Sequence, residues 1–457
     1  MSLREAYQES GFLESFVDDS NAAPSATTNV ANLVIKSIIP LECVLAAGVA
    51  PSLPQAIPTI KVSPDIAPPP HGHVESGSPV TYHNQYPQLP GLQSFITIYS
   101  YMQKMATVTG KWTLVHKTQS LQRSSQTLST LNNRALIFGG ELIPRQPRDN
   151  DVYILNLSPP CKQPGYKASL QSYRDGPSTI PEYAGDIPSA RVGTASTVVD
   201  GKIYYFSGRG GVDMAPVDEN GQLWQFCFSD AHGVGWHLIA PADASQPVPE
   251  PRSYHCMTSD GTANLYIHAG CPTSGRLSDL WSFNVNDRKW TQLASAPSAP
   301  RGGTSMTYHA EKLYRMGGFD GKHEIGGEID IYDIASDTWS THTFISDGVN
   351  GPGARSVATL LAMNIDGKAS LITTFGESDP SALGHAGAGN MLPDSWVCDV
   401  ETKAWRRVEV EKGKKVPQSR GWFAADIVTF DDEQGIIIQG GLAEDNERLD
   451  DAWVLSF

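Results

Sequence analysis

The chain has few cysteines and no long apolar run. It contains six cysteines in 457 residues, far apart and without any CxxC pair. This excludes a small disulfide scaffold and offers no zinc-module spacing, so we expect free thiols in a reducing compartment. The most apolar early stretch, residues 32–50, is interrupted by Lys36, Pro40 and Glu42. A transmembrane helix is therefore not expected.

Positive charge is also scarce. The chain has 34 Lys and Arg against 49 Asp and Glu, a formal net charge of -15. A nucleic-acid-binding face needs clustered basic residues, so we expect no nucleic-acid partner. The first twenty residues, MSLREAYQESGFLESFVDDS, are acidic where a secretory signal has a basic start and an apolar core. We expect a cytoplasmic protein that does not enter a membrane, and the sequence leaves a homo-oligomer open.

Residues 1–110 show little periodic pattern. They include the stretch SNAAPSATTN and a proline-spaced run between Pro51 and Pro70. Such a composition favours an extended linker and provides no apolar face for a core. We predict an irregular N-terminal extension over residues 1–110, disordered in part.

From residue 111 onward the sequence repeats a four-part unit. In each unit an arginine opens an apolar or hydroxyl-rich segment, and a second β-type segment closes on glycine. A third segment follows a loop of variable length, and a tryptophan opens the fourth segment in several units. Four strands per unit, repeated six times at intervals of about 45 to 70 residues, are typical of a β-propeller. The opening arginines are Arg123, Arg191, Arg252, Arg301, Arg355 and Arg420.

The ends of the repeat predict how the ring closes. The sixth unit stops at Phe457 after its third segment, and the strand KWTLVHK at residues 111–117 precedes the first unit without a partner. If this strand completes the last blade, no strand edge is left open. We predict an all-β protein in which residues 111–457 form a six-bladed propeller closed by residues 111–117. The recurring arginines are predicted to be architectural, and Trp290, Trp339 and Trp405 to lie in the core.

The glycine pair that ends the second segment and the aromatic residue that opens the fourth resemble the kelch repeat. More particular stretches are RSSQTLSTLNNRALIFGG from Arg123, SRGWFAAD from Ser419 and GESDPSALGHAGAGNMLPDSW from Gly376. These resemble the nitrile-specifier and thiocyanate-forming proteins of plant glucosinolate breakdown, together with similar fungal kelch proteins of secondary metabolism. The resemblance covers about three quarters of the chain. It implies a kelch-type propeller.

The resemblance also implies a metal site on the loop after Gly376. The plant proteins are thought to bind Fe(II) through a Glu, an Asp four residues later and a His four beyond that. The matching first and last positions are Glu377 and His385, but the middle position is Ser381, a poor ligand for Fe(II). Asp379 could complete the facial triad typical of non-haem iron only if the loop takes another path. The expected cofactor is therefore either none or Fe(II).

The resemblance further implies substrate contacts on loops around the propeller axis. It assigns catalytic roles to Arg209, Arg276 and His385, and substrate binding to Tyr254, Lys322 and Trp422. Guanidinium groups beside aromatic faces suit an anionic or polarised small molecule. The alternative is that the arginines join blades and the aromatic rings fill the top of the channel.

Three functions remain open on the sequence. The first is an enzyme of secondary metabolism, a lyase, isomerase or cyclase, that directs the fate of one reactive small molecule. Without a metal, the central pocket of the propeller could guide a cofactor-free hetero-Diels–Alder cyclisation. The second is an Fe(II)-dependent lyase similar to the nitrile-specifier proteins. The third is a non-enzymatic kelch module that binds other proteins.

Overall fold

The described part of the chain consists almost entirely of β-strands. In this computed structural model it comprises residues 107–158, 167–173, 187–229, 233–384, 387–411, 413–430 and 433–457. Residues 1–106, and with them nearly all of the predicted extension, lie outside this part. Its helical residues are those of the short 3-10 turn Gln119–Leu121 and Gly384, which also has 3-10 hydrogen bonding. No helix in these ranges is long and apolar enough to cross a membrane.

The first three blades are antiparallel sheets whose strands run from the axis outward. The first strand of the chain, β1, is Val108–Lys117 and belongs to the last blade. Blade one contains β2 Ser124–Leu131, β3 Arg134–Ile143, the short β4 Gln146–Pro147, β5 Val152–Ser158 and β6 Lys167–Tyr173. Blade two contains β7 Arg191–Val192, β8 Ala195–Val199, β9 Lys202–Phe206, β10 Arg209–Gly210, β11 Ala215–Pro216, β12 Leu223–Ser229 and β13 Gly233–Ile239. Blade three contains β14 Cys256–Ser259, β15 Asn264–His268, β16 Leu280–Asn284 and β17 Lys289–Leu293.

The other three blades follow the same order. Blade four contains β18 Ser305–His309, β19 Lys312–Met316, β20 Glu328–Asp333 and β21 Thr338–Thr343. Blade five contains β22 Thr359–Ile365, β23 Lys368–Thr374, β24 Glu377–Ser378, β25 Asn390–Met391, β26 Ser395–Asp399 and β27 Trp405–Val410. Blade six contains β28 Ala424–Phe430, β29 Glu433–Gln439 and β30 Asp451–Ser456, with β1 outermost. The predicted all-β, six-bladed propeller is confirmed.

Strand β1 joins the two ends of the described chain. Its residues from Lys111 onward pair antiparallel with β30, with Trp112 opposite Leu455. Its first residues run parallel to β27, with Val108 opposite Val408. In sequence, β1 precedes blade one and β30 is the last strand. Their pairing therefore connects blade six to the segment that leads into blade one and closes the ring.

Each blade-opening arginine is buried and clamps its own blade. Its Nη1 donates to the carbonyl at the end of the second strand at 2.9–3.1 Å. Its guanidinium also pairs, at 2.6–3.2 Å, with a carboxylate at or before the third strand. These contacts give the arginines an architectural role. The pairs are Arg123–Asp149, Arg191–Glu219, Arg252–Asp279, Arg301–Glu328, Arg355–Asp394 and Arg420–Asp451.

The fourth-strand tryptophans pack between blades. Trp290 is buried, and its indole N–H donates to the Gly221 carbonyl of the preceding blade at 2.8 Å. Trp339 and Trp405 are half-buried, and Trp339 donates to the Ala294 carbonyl at 2.7 Å. A buried indole that also finds a hydrogen-bond partner fixes the angle between neighbouring blades.

Candidate functional site

A closed circle of backbone hydrogen bonds surrounds the propeller axis. It is formed by the residue two positions after each blade-opening arginine, and we call these six residues the neck ring. Each N–H donates to the carbonyl of the preceding blade's member at 2.8–3.1 Å, and the first blade bonds to the sixth. All six have φ between 46° and 63°. The members are Ser125, Gly193, Tyr254, Gly303, Val357 and Trp422.

The left-handed backbone of the neck ring is costly for most side chains. Val357 has φ 46°, a conformation that β-branched residues rarely adopt. Strained positions of this kind persist where surrounding structure enforces them, and they concentrate at functional sites. Here the circle of hydrogen bonds provides that enforcement.

Replacing Gly303 with alanine should destabilise the protein more than replacing Gly261. Both glycines have positive φ, so each alanine carries a conformational cost of about 1 kcal/mol. A Cβ at Gly303 would lie 2.8 Å from a Val357 methyl, whereas one at Gly261 meets nothing within 4 Å. The clash should add about 1–3 kcal/mol. Urea denaturation of the two variants measures the difference, and equal losses would show that the neck ring has room to relax.

A second ring lies above the neck ring, at the propeller face where the second strands end. We call this face the loop face, and the residue directly after the glycine of each blade a member of the face ring. Each member forms a β-bridge to the residue after the blade-opening arginine. The blades therefore present six equivalent positions around the axis. The members are Glu141, Arg209, Cys271, Phe319, Glu377 and Leu442.

The two rings enclose a cavity of about 90 Å³, which we call the face cavity. Tyr254 and Trp422 of the neck ring line it together with Glu141 and Arg209 of the face ring. A larger channel of about 470 Å³ runs along the innermost strands and is lined mainly by Ser and Thr hydroxyls and small apolar side chains. The described wall of the larger channel has no Lys or Arg, and the oxygens of its carboxylate, Asp426, already accept hydrogen bonds from Thr130 and Ile427. The face cavity combines arginine and glutamate side chains with two aromatic rings, so it is the better candidate site.

Arg209 carries a positive charge without a carboxylate partner among the described residues. Its Nε donates to the Ser253 hydroxyl at 2.6 Å, and its two Nη atoms donate to the carbonyls of Met214 at 3.3 Å and Pro272 at 2.9 Å. These neutral oxygens hold the planar group in place but leave its charge uncompensated. Nη2 also donates to the Cys271 carbonyl at 3.5 Å, so the described residues leave one of the five N–H groups, on Nη1, for a ligand. A half-buried, fixed guanidinium of this kind is suited to an anion.

Tyr254 lies between opposite charges. Burial raises the pKa of its phenol to about 12; the nearby Glu141 carboxylate adds to this rise, while Arg209 and a hydrogen bond with Ser125 oppose it. The phenol therefore stays protonated at neutral pH and is able to donate a hydrogen bond. Its ring and that of Trp422 supply the apolar surface of the face cavity.

Sequence reasoning missed three charged residues of the face cavity, namely Glu141, Arg145 and Arg448. Glu141 and Arg448 are both buried and form an ion pair at 2.9 Å between blades one and six. The other Glu141 oxygen accepts the backbone N–H of Arg145 at 2.7 Å. Glu141 occupies the same repeat position as Arg209 and Glu377, directly after the glycine that ends the second segment, so aligning these six glycines would have identified it.

Two of the residues implied by the resemblance lie away from this cavity. Arg276 is half-buried in the blade-three loop, with its guanidinium 4.9 Å from the centre of the Phe319 ring of blade four. It is not among the residues that line the face cavity. Lys322 is exposed in a blade-four turn, where its backbone N–H donates to Asp320. Arg209, Tyr254 and Trp422, by contrast, come together.

Glu377 is the buried acid of blade five. One of its oxygens accepts the Gly389 N–H at 2.6 Å. Burial raises its pKa to about 7; the Gly389 hydrogen bond opposes the rise, and the charge of Glu324 adds to it. Glu324 itself has a raised pKa, first because of burial. Burial and the charge of a second carboxyl group both favour retention of a proton by Glu377.

The described residues around Glu377 do not supply a ligand set for iron. Asp379 is exposed, and the Ser381 hydroxyl accepts the Leu383 N–H at 3.1 Å, which holds a turn. Among the described residues, no three His, Cys, Asp or Glu side chains are grouped as metal ligands. His385 lies outside the described residues, so the Fe(II) cofactor stays a prediction, and we derive no chemical step through a metal.

The expected free thiols are present where the chain is described. Cys227, Cys256, Cys271 and Cys398 are free, and Cys43 and Cys161 lie outside the described residues. Cys271 belongs to the face ring. Burial raises the pKa of its thiol, which disfavours the reactive thiolate.

Comparisons with known proteins agree with this architecture. The protein-family model of the KLHDC2/KLHL20/DRC7 Kelch-repeats domain matches residues 125–376, more than half of the chain. The solved structure of YjhT has a TM-score of 0.52 at 13% identity, covering 74% of this chain and 95% of that one. At this identity the likeness concerns the fold alone.

Relatives among curated proteins differ in function. N-(sulfonatooxy)prop-2-enimidothioate sulfolyase from Thlaspi arvense is 26% identical over 374 residues, 76% of this chain and 97% of that protein. The flagellar outer arm dynein alpha chain of Chlamydomonas reinhardtii is 24% identical over 232 residues, 50% of this chain but 5% of that protein. Kelch domain-containing protein 10 from Rattus norvegicus is 26% identical over 217 residues, 44% of this chain and 46% of that protein. One relative is thus named as a lyase, while the others share parts of the propeller.

Proposed function

Because this chain belongs to the kelch-repeat family, we propose that it uses the loop face of the propeller as a lyase-type small-molecule site. In this proposal the face cavity binds a reactive anionic intermediate and directs its rearrangement or cleavage. The observation that carries the proposal is Arg209, a fixed guanidinium that lines the cavity and has no carboxylate partner among the described residues. The sulfolyase relative, according to its name, acts on a sulfonatooxy compound, which is an anion.

The proposed chemistry requires positioning more than strong acids or bases. Arg209 would hold the anionic group, and the aromatic rings of Tyr254 and Trp422 would pack against the remainder of the molecule. The protonated Tyr254 phenol would donate a hydrogen bond to charge that develops as a bond breaks. Fixing a labile molecule in one geometry selects among its reactions, since positioning alone can lower the activation barrier of one reaction by a large amount.

Ethanesulfonate binding tests this function, since it is a small anion with an apolar end. We expect isothermal titration calorimetry to show binding to the wild type that weakens at least about tenfold in Arg209→Gln, which removes a charged hydrogen-bond donor. Arg209→Lys should be intermediate, because it keeps the charge but loses the planar fork. The control is Arg407→Gln on the outer strand β27, where the arginine is exposed. Equal affinity in all four proteins would contradict an anion site at Arg209.

A second candidate function is a protein-interaction module. Large apolar side chains are exposed on the loops of the loop face, with Val212 at 101%, Leu383 at 74% and Ile143 at 55% exposure. An apolar rim of this kind also suits a protein partner. If Val212→Glu and Ile143→Glu abolish a stoichiometric complex with a protein while Arg209→Gln leaves sulfonate binding unchanged, the interaction function is the correct one.

A further inference from the structure

We infer that the ligand of the face cavity carries a hydrogen-bond-donating group, a hydroxyl or an ammonium, as well as its anionic group. Glu141 receives this donor while Arg209 holds the anion. The inference rests on the proposed function of the cavity and goes beyond it by naming a second recognition element. It also separates two ligand classes, simple anions and anions with a donor.

The first step is that the two charges share one cavity without pairing. Glu141 and Arg209 are the face-ring members of adjacent blades, and both line the face cavity. Both also act on the phenol of Tyr254, in opposite directions. Glu141 forms its ion pair with Arg448, and Arg209 donates to hydroxyl and carbonyl oxygens, which are neutral. Opposite charges that face one space without bonding to each other leave room for a group between them.

The second step is the free acceptor capacity of Glu141. A carboxylate has about four acceptor positions on its two oxygens. Arg448 Nη2 donates to one oxygen at 2.9 Å, and the Arg145 N–H donates to the other at 2.7 Å. Each oxygen therefore keeps a lone pair after its protein contact. The two contacts also fix the plane of the carboxylate, which makes it a directional acceptor.

The third step is that a simple anion would make no use of Glu141. An anion held at Arg209 that has no donor of its own would leave the remaining lone pairs of Glu141 without a partner, although Arg448 already offsets the Glu141 charge. A hydroxyl or ammonium group on the same ligand adds a charge-assisted hydrogen bond to Glu141. The buried Arg448 Nε, which has no partner among the described residues, offers a further donor to an oxygen of such a ligand.

Three probes of nearly equal size test the inference. Ethanesulfonate, 2-hydroxyethanesulfonate and 2-aminoethanesulfonate share one anionic group and end in a methyl, a hydroxyl and an ammonium. Calorimetric titration of the full-length protein should show that the two donor-bearing probes bind at least about tenfold more tightly than ethanesulfonate. In Glu141→Gln the advantage of the ammonium probe should fall at least about tenfold, since the charge it recognises is gone.

The matched control is Glu433→Gln, which makes the same change at an exposed position on β29. This variant should retain the wild-type order of affinities. Should Glu141→Gln fail to fold, the order of the three probe affinities in the wild type still tests the inference. If all three probes bind equally and Arg209→Gln weakens them all, the donor-recognition inference is overturned while the anion site stands. If none of them binds, both the inference and the proposed function are overturned.

Discussion

Replacing Asp330 with alanine should destabilise the protein by about 3–5 kcal/mol, because it leaves a buried guanidinium without its counter-charge. Asp330 and Arg315 are 1% and 0% exposed. Arg315 Nε donates to Asp330 at 3.1 Å, and the Thr341 hydroxyl donates to the other Asp330 oxygen at 2.6 Å. Arg315 Nη1 contacts His268 Nε2 at 2.9 Å. Burial and the adjacent Arg315 hold the pKa of His268 well below its usual value, so a neutral imidazole accepts this bond.

The same two strands offer a matched control for this experiment. Lys312 and Asp333 also form a pair between β19 and β20, but their side chains are 40% and 36% exposed. Asp333→Ala should cost much less than Asp330→Ala, because solvent screens an exposed ion pair. Urea denaturation monitored by tryptophan fluorescence measures both variants. If both variants lose a similar free energy of unfolding, burial does not determine how much the contact between Arg315 and Asp330 stabilises the protein.

The second large effect concerns pH and Glu377. The pKa of Glu377 is raised from 4.5 to about 7, first by burial. The folded state therefore keeps a proton that the unfolded chain releases, and stability falls as the pH rises through this window. The slope should reach about 1.4 kcal/mol per pH unit. Glu377→Gln removes this titration, so the variant should lose less stability on going from pH 4.5 to pH 8 and should exceed the wild type at pH 8.

Denaturation midpoints measured across this pH range test the prediction. The stability of Glu377→Gln should still fall somewhat with rising pH, because Glu324 also has a pKa raised by burial. The control, Glu409→Gln, changes an exposed glutamate on β27 and should leave the profile of the wild type unchanged. Parallel profiles for Glu377→Gln and the wild type would show that Glu377 is already ionised in the folded protein.

The repeat made the fold predictable from the sequence. Each blade carries its own arginine, a glycine at the end of the second segment and a carboxylate at or before the third strand. Six copies of one pattern overcome the ambiguity of any single copy. The Asp330 network shows the limit of this reasoning. At the corresponding place, two residues after the clamp carboxylate, other blades have Trp281, Trp396 or Trp453. A departure from the repeat signals a special contact but does not identify the partner.

The candidate site was predictable where the repeat fixes the position. Arg209, Tyr254 and Trp422 lie at set distances from a blade arginine or glycine, so they face the axis together. Arg276 and Lys322 belong to loops of variable length, and sequence spacing cannot set where such loops lead. Arg448 was missed for the same reason, since it lies between β29 and β30 outside the repeat register.

A crystal structure of the protein soaked with ethanesulfonate tests the central claim most directly. The account predicts that the sulfonate lies in the face cavity within hydrogen-bond distance of Arg209, with its ethyl group against Tyr254 or Trp422. In a matched crystal of Arg209→Gln, the sulfonate should be absent from the cavity. Sulfonate density found only in the channel or on the outer strands, with an empty face cavity, would contradict the account.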